Sequence, residues 1–387
     1  MGHNLQQLLP DHIAQAICRT LISSVWQGLV LAMLTGMIIL FTKKVSAAKR
    51  YGLLVGLLCL FTLSFIFTLI VELNSADGSD YVIQDVASHS MNLLELLNYN
   101  LLYIEKHAAI VVLTWLVIIS ARSFKMVFGL YIIQRLKRTK INHLSVQWEQ
   151  KVSSLAQNMG VKKAIILLES GIVKVPVVIG YLKPLILIPV GLINALDQGE
   201  VEAILLHELA HIRRRDYLVN LLQSLIETLF FFNPAILWLS SLIRTEREHC
   251  CDDIALRYTQ NKTRYIRALV HFEEYQADNT GYALALTGKG GNMLQRLERI
   301  AINRNRSLNR LEMAGLALLL LVSSLFVAAR PNNKVEITQK TTKTTPVSPE
   351  LRRYYHEREL ALRKQFLERK RAEEKAKHRM QPTDSVP

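Results

Sequence analysis

The chain has 387 residues, of which 50% are hydrophobic, and its formal net charge is +15. A mean hydropathy of +0.18 is high for a soluble protein, and the apolar residues are clustered, so the composition favours an integral membrane protein over a wholly soluble one. In that class Lys and Arg accumulate in cytoplasmic loops, which explains the charge more simply than nucleic-acid binding, for which no recognisable motif is present.

Three apolar stretches in the first third of the chain are each long enough to cross a bilayer, which takes about 20 residues of helix. They cover residues 21–41, 52–71 and 108–133. The third contains Arg122 and Lys125, whose long side chains would reach the inner interface. Residues 1–133 are therefore predicted to form three transmembrane helices.

The segments between these stretches predict their orientation. Residues 43–50 form a short basic loop, whereas residues 72–106 are longer and lean acidic, with a short helix suggested at residues 93–102. Because positively charged loops stay on the cytoplasmic side, we expect the N-terminus and the second loop outside. The first loop, and the large segment after the third helix, would then lie inside.

Residues 134–310 are predicted to form a cytoplasmic α+β domain with a small sheet. It contains one amphipathic helix, followed by three Val- and Ile-rich strands, at residues 146–159, 164–169, 175–179 and 185–188. An edge strand in such a domain can hold a substrate by main-chain pairing, and residues 175–188 could include it. That these strands only support the core is an equally good interpretation.

The motif His207-Glu208-Leu209-Ala210-His211 is the main chemical signal in the chain. Residues four apart lie on one face of a helix, so His207 and His211 can bind one zinc ion while Glu208 serves as general base. An exposed polar turn is the alternative. The apolar residues 201–206 that precede the motif favour a buried helix, where such side chains need partners.

A third zinc ligand is expected downstream, because catalytic zinc takes three protein ligands and one water. Glu248 and Asp252 are four residues apart on a predicted helix, which suits Glu248 as ligand and Asp252 as the carboxylate that orients a ligand histidine through its other ring nitrogen. A solvated charged helix is the alternative. Cys250 and Cys251 are competing ligands, but without a CxxC partner they are better explained as small buried thiols.

Residues 218–243 are apolar and long enough to cross a membrane. A single crossing would place His207 and Glu248 on opposite sides of the bilayer, which a shared zinc does not allow. The run must therefore return, as a re-entrant hairpin broken near Asn233-Pro234 or as helices packed at the membrane surface.

The C-terminal part is predicted to contain a fourth span, an outer linker and a charged helical tail, at residues 311–329, 332–349 and 350–380. Basic residues between positions 259 and 310, among them Arg296 and Arg299, fit a contact with the inner leaflet. The tail, residues 330–387, could dock an outer partner or remain a solvated, partly disordered segment.

Four segments in this order, residues 175–189, 207–216, 230–239 and 247–256, resemble the membrane-embedded zinc metallopeptidases of the bacterial β-lactam sensor-transducers, the BlaR/MecR type. The resemblance runs from about residue 18 to about residue 329. It implies a bacterial inner-membrane protein, with Zn²⁺ on His207, His211 and Glu248, and Glu208 as catalytic base. The β-lactam sensors of this family carry a penicillin-binding domain at the C-terminus, and the tail here has no Ser-x-x-Lys motif, so the resemblance supports the peptidase and not β-lactam sensing.

The predicted fold is thus a mainly α integral membrane protein with four transmembrane helices and a cytoplasmic α+β zinc-peptidase domain. The predicted function is hydrolysis of peptide bonds in a protein substrate, which the resemblance suggests is a transcriptional repressor or the chain itself. Membrane lipid is the other expected partner, no direct nucleic-acid contact is expected, and a homodimer is left open.

Two rivals to this function remain. The first is a non-enzymatic receptor or scaffold whose structural zinc is closed by Cys250 or Cys251. The second is a protease that cleaves within the membrane, which the three arginines directly after the motif, Arg213 to Arg215, make less favoured. The sequence identifies no oxyanion-stabilising residue; His249 is no more than a candidate.

Overall fold

The structure is a computed structural model that describes residues 10–74, 104, 106–136, 139–180, 183–259, 261–280, 290–302, 305, 307–318 and 364. The chain divides into two compact units, residues 1–330 and residues 331–387. All elements below belong to the first unit. The helix expected at residues 93–102 lies outside the described residues, as does the tail helix apart from residue 364.

Three long helices open the chain, and each covers a predicted span: α1 (Asp11–Phe41), α2 (Ala47–Asn74) and α3 (Ala108–Leu136). All three are long and apolar enough to cross a membrane, which confirms the first three candidate spans by length and composition. Helix α1 begins ten residues before the predicted stretch. Of the predicted fourth span, residues 311–318 are described and are helical, so the count of four spans stays a prediction.

A four-stranded sheet follows the third helix. Its elements are β1 (Ile141–His143), α4 (Val146–Asn158), β2 (Ile166–Ser170), β3 (Val177–Ile179) and β4 (Leu185–Pro189). The strand order is β1-β2-β4-β3, with β2 and β4 parallel and the other two pairs antiparallel. The three predicted strands are confirmed. Strand β1 was missed because it is short and largely polar, and β3 lies at an edge of the sheet.

The remaining elements are helices: α5 (Leu192–Ala195), α6 (Gln198–Arg214), α7 (Asp216–Leu229), α8 (Pro234–Thr259), α9 (Lys262–Thr280) and α10 (Gly290–Ile302). Helix α6 is central, since Val201, Leu205 and Leu209 are buried in the main core with residues of α4, α8, α9 and the sheet. Glu200 accepts a hydrogen bond from the backbone N–H of Asp197 at 3.3 Å, which begins this helix as half of a capping box.

The apolar run of residues 218–243 turns back between α7 and α8, as predicted. The turn is held by Asn233, whose side-chain Nδ2 donates to the backbone oxygen of Ser24 in α1 at 3.0 Å. The Asn233 side chain can approach α1 this closely because residue 28 is glycine: a Cβ at Gly28 would lie 2.5 Å from Asn233 Nδ2. Asn233 Oδ1 also accepts from the N–H of Ala235 at 3.1 Å, which caps the start of α8.

The same turn also contacts the other two long helices. Phe230 packs edge-on against Phe61 and Phe65 of α2, with ring centroids 5.0 and 4.7 Å away. Trp115 of α3 donates to the backbone oxygen of Leu229 at 3.1 Å. The turn therefore contacts all three candidate spans, and whether residues 218–243 are re-entrant or lie at the membrane surface stays a prediction.

A buried ion pair joins the start of α2 to α8. Arg50 Nη2 lies 3.2 Å from Glu246 Oε1, and the two side chains are 1% and 3% exposed. Glu246 precedes Glu248 by two residues, so this pair fixes α8 beside the first turn of α2. It fixes the position of this part of α8 relative to the candidate spans.

We predict that Arg50→Leu destabilises the protein by about 3–5 kcal/mol, because it leaves the Glu246 carboxylate buried without its cation. The double variant Arg50→Leu/Glu246→Leu should recover most of this loss, since two apolar side chains replace the pair. Chemical unfolding in detergent micelles measures both values. A single variant as stable as the wild type would show that the pair does not hold α8.

Candidate metal centre and active site

Helices α6 and α8 bring the three predicted ligand side chains to one point. His207 and His211 lie one turn apart on α6, and their ring centroids are 4.9 Å apart. Their Nε2 atoms lie 3.3 and 3.7 Å from Glu248 Oε2, which comes from α8. The donor atoms of the three residues all lie within 4.8 Å of one another.

This arrangement suits a zinc ion by chemistry and by spacing. Two imidazole nitrogens and one carboxylate form a common donor set of catalytic zinc, and ligands bound tetrahedrally at about 2.0–2.1 Å lie roughly 3.3–3.4 Å apart. The separations of 3.3 and 3.7 Å between the histidine and Glu248 atoms are close to that value. The residues therefore fit the metal that the motif predicts.

The other ring nitrogen of His207 faces Asp252, as expected from the sequence. His207 Nδ1 lies 3.3 Å from Asp252 Oδ1. The hydroxyl of Tyr265, on α9, contacts Nδ1 at 3.0 Å and donates to Asp252 Oδ1 at 2.7 Å. With Nδ1 held in this way, the ring presents Nε2 to the metal position.

His211 has its own carboxylate, which the sequence analysis did not assign. His211 Nδ1 lies 2.9 Å from Asp216 Oδ2. The intervening Arg215 ends α6 in the left-handed region, with φ 58°, and this turn brings the first residue of α7 back beneath the histidine. Asp216 is the last residue of the segment 207–216 that carries the family resemblance. Its contact with His211 depends on the left-handed turn at Arg215, which residue spacing alone does not predict.

The expectation that Arg296 and Arg299 contact the inner leaflet is wrong for these two residues. Arg296, on α10, donates to both oxygens of Asp252 at 2.6 and 3.0 Å. Arg299 donates to both oxygens of Asp253 at 2.8 Å. Hydrogen bonds between a guanidinium and a carboxylate are charge-assisted and stronger than neutral ones, so both arginines point toward the carboxylates of α8.

The charges around the histidines shift several pKa values. Burial opposes ionisation of Asp252, but the Arg296 guanidinium outweighs it and holds the pKa of that carboxyl well below its usual range. The pKa of Glu248 is also well below normal, because hydrogen bonding to His207 and the charge of His211 outweigh burial. Burial alone would lower the pKa of His207, but the Asp252 and Glu248 carboxylates raise it to about 9.

Glu208, next to His207 on α6, has a pKa that is shifted upward. Burial raises the pKa of its carboxyl, and the neighbouring histidines counter that effect only in part. A carboxylate with a raised pKa is a better proton acceptor than one in water. The raised pKa suits the general-base role that the sequence predicts for Glu208, which stays a prediction.

The two cysteines lie outside the cluster of His207, His211 and Glu248. Cys251 Sγ contacts the opposite side of His211, 3.3 Å from Nδ1, and lies 3.3 Å from Asp216 Oδ2. With these two residues it forms a second group that could bind a metal. Burial raises the pKa of both thiols, that of Cys250 to about 12, which disfavours the thiolate that a metal ligand requires.

A cavity of about 740 Å³ opens onto the candidate metal position. Its wall combines the edge strand β3, the second half of α3 and the start of α7 with the site itself. Ile204, Leu269 and Phe272 supply an apolar portion, whereas Arg247 and Asn220 supply polar groups beside Glu248. His249 is not among the lining residues and is buried, with 1% exposure, so the structure does not support it as a group facing substrate.

The family profile described as BlaR1 peptidase M56 matches residues 17–300 of the chain. The match covers well over half of the chain, and the chain belongs to this family. The resemblance found in the sequence motifs is therefore confirmed.

Curated relatives agree with this assignment. The chain is 27% identical over 186 residues to the regulatory protein BlaR1 of Bacillus licheniformis, covering 47% of this chain and 31% of that protein. It is 26% identical over 217 residues to the methicillin resistance mecR1 protein of Staphylococcus aureus, covering 52% of this chain and 37% of that protein. The chain thus spans about a third of the length of these relatives.

We predict that Asp216→Asn lowers zinc affinity by about 10- to 100-fold, because the His211 ring loses the charge that fixes its orientation. Competition with a chromogenic chelator measures the affinity. Asp253→Asn is the matched control, since Asp253 pairs with Arg299 and not with either histidine. Equal zinc affinity in the Asp216→Asn and Asp253→Asn variants would contradict the assigned role.

We also predict that zinc binding releases a proton at neutral pH. With a pKa of about 9, His207 is protonated at pH 7 in the metal-free protein, and zinc must displace that proton. Apparent affinity should then rise about tenfold per pH unit from neutral pH and level off above the His207 pKa. Calorimetry in buffers of different ionisation enthalpy measures the proton release. A pH-independent affinity would exclude a protonated His207.

Proposed function

We propose that this family member is a membrane-bound zinc metalloendopeptidase that hydrolyses peptide bonds of a protein substrate at the cytoplasmic face. One observation carries the proposal: the Nε2 atoms of His207 and His211 meet the Glu248 carboxylate, while Asp252 and Asp216 hold the opposite nitrogens of the two rings. On a helix whose polar residues are merely solvated, carboxylates would not be expected beside both ring nitrogens of both histidines.

In this proposal His207, His211 and Glu248 hold the zinc ion. When bound, zinc supplies Lewis acidity, which polarises the scissile carbonyl and lowers the pKa of a water molecule. Asp252 and Asp216 keep the histidines in the tautomer that offers Nε2, and Arg296 keeps Asp252 ionised. Because these groups are fixed before substrate arrives, the site needs little reorganisation during the reaction.

Glu208 moves the proton. Its carboxylate takes a proton from the attacking water and passes it to the nitrogen of the departing amine, so that the amine leaves as a neutral group. The burial that raises its pKa suits both transfers, since the group must first accept a proton and then donate it. The Glu of a His-Glu-x-x-His helix has this general-base role in zinc metalloproteases, and the proposed enzyme is gluzincin-like in this sense, with a glutamate as its third zinc ligand.

The substrate would lie extended along β3. Among the residues that the structure describes, this strand pairs only with β4, and residues 176–180 line the cavity. The free edge can therefore pair with a peptide main chain. The apolar wall formed by Ile204, Leu269 and Phe272 favours an apolar side chain next to the scissile bond.

The topology belongs to the same proposal. Residues 1–133 would cross the membrane three times, with residues 72–106 outside, and residues 311–329 would cross a fourth time. Residues 134–310 would form the peptidase domain inside, with residues 218–243 re-entrant. Residues 330–387 would then lie outside, where they could meet a partner. The buried contact of Arg50 with Glu246, beside the basic loop, supports a metal position near the inner leaflet.

The relatives described as a regulatory protein and a methicillin resistance protein support a role in signal transduction. We propose that the substrate is a transcriptional repressor or the chain itself. In either case a change in the outer segments would have to reach the site through the long helices. The contacts of the α7–α8 turn with α1, α2 and α3 offer a physical connection.

We predict that Glu208→Gln keeps zinc near one per chain but lowers the rate of peptide cleavage by about 10²- to 10⁴-fold, because the amide cannot take the proton. Purified protein in detergent is incubated with a peptide library, and the products are identified by mass spectrometry. Glu202→Gln is the matched control, since Glu202 lies on the same helix but pairs with Lys151. Cleavage that survives in Glu208→Gln would refute the assigned base.

A further inference from the structure

Peptide hydrolysis places a negative charge on the former carbonyl oxygen as the carbon becomes tetrahedral. A hydrogen-bond donor held at that position before the reaction contributes strongly to the rate. The inference that follows rests on the proposed function, because it names the residue of the same site that would supply this donor.

Three polar residues near the histidines are unsuited to the task. His249 is buried away from the cavity, and its Nδ1 lies 3.5 Å from Glu246 Oε2. Tyr265 contacts the Nδ1 side of His207 and donates to Asp252, so its hydroxyl faces away from the metal position. Arg296 lines the cavity, but it directs Nε and Nη2 to Asp252.

Arg247 is placed differently. It precedes Glu248 on α8 and lines the cavity beside it. Its Nη1 donates to Asn220 Oδ1 of α7 at 3.2 Å, and its side chain is only 13% exposed. Within the described part of the chain, Arg247 Nη2 donates to no protein atom. Asn220 therefore anchors one end of the guanidinium group, and the Arg247 side chain lines the cavity beside Glu248.

We propose that Arg247 is a catalytic residue that donates a hydrogen bond to the oxyanion of the tetrahedral transition state. Arginine keeps its positive charge throughout the working pH range and offers several N–H donors in one plane. Asn220 fixes the orientation of that plane, so the donor is in place before the charge develops. Asn220 lines the same cavity.

The alternative is that Arg247 only positions Glu248. Its Nε lies 3.7 Å from Glu248 Oε1, which is too long for a hydrogen bond. The other oxygen of Glu248 already faces both histidines. If Arg247 only positioned Glu248, the Arg247→Ala variant would bind zinc more weakly. If Arg247 is an oxyanion donor, the zinc affinity of this variant stays unchanged.

The test compares Arg247→Ala and Arg247→Lys with the wild-type full chain in detergent. The probe is a phosphinic pseudopeptide with Leu on each side of the phosphinic group, whose tetrahedral anion resembles the transition state and whose side chains suit the apolar wall. We expect Arg247→Ala to bind this probe about 10²- to 10³-fold more weakly, and kcat to fall by a similar factor with little change in KM. Arg247→Lys should recover part of both, and added guanidinium should restore part of the kcat of Arg247→Ala.

Arg244→Ala is the matched control. Arg244 lies one turn earlier on α8 and forms a hydrogen-bonded ion pair with Glu227, outside the described cavity lining. It removes the same charge from the same helix, and it should leave probe affinity and kcat unchanged. Asn220→Ala is a second variant, which frees Arg247 and should produce an intermediate loss.

The outcomes separate this inference from the proposed function. The proposed role of Arg247 is overturned if zinc-loaded Arg247→Ala binds the probe as tightly as the wild type does. It is also overturned if the weaker probe binding of this variant is explained by a lower zinc affinity. If wild-type protein binds zinc and the probe but cleaves no peptide, the proposed function fails while the probe data still decide the role of Arg247. If zinc-loaded wild-type protein does not bind the probe, both are rejected.

Discussion

The fold depends on one geometric constraint: side chains from α6 and α8 must meet at one point, although a 26-residue apolar run, residues 218–243, separates them along the chain. Glu248 reaches the Nε2 atoms of both histidines only because α7 and α8 return as a hairpin. Asn233 fixes the turn against α1, and Phe230 fixes it against α2. The buried Arg50–Glu246 ion pair then fixes the position of α8 beside the start of α2.

A second constraint is electrostatic, because several ionised groups are buried around the two histidines. Each is balanced by a neighbour: Arg296 neutralises Asp252, while Arg214 donates to Asp216 at 3.1 Å. Burying one of these charges alone would be costly, whereas a complete network is rigid and places both imidazoles accurately. The same network raises the pKa of His207 to about 9, so zinc binding is predicted to release a proton.

Sequence spacing predicted those parts of the structure that depend on local periodicity. His207, His211 and Glu248 could be found because residues four apart share a helix face, and the Asn233-Pro234 break follows from the missing N–H of proline. Asp216, Tyr265 and Arg296 could not, since a left-handed Arg215 and the packing of α9 and α10 bring them to the histidines. In the sequence Arg296 is one of several basic residues that could contact lipid. Only the three-dimensional structure shows that it pairs with the buried Asp252 instead.

The proposed function requires a single zinc bound by two imidazoles and one carboxylate, with a position left for water. X-ray absorption at the zinc edge of the wild-type protein in detergent measures this coordination. We expect only nitrogen and oxygen neighbours, at about 2.0–2.1 Å, with histidine ring scattering from two imidazoles. A sulfur neighbour at about 2.3 Å would assign Cys250 or Cys251 to the metal, and it would contradict the claim in favour of a closed, structural zinc site.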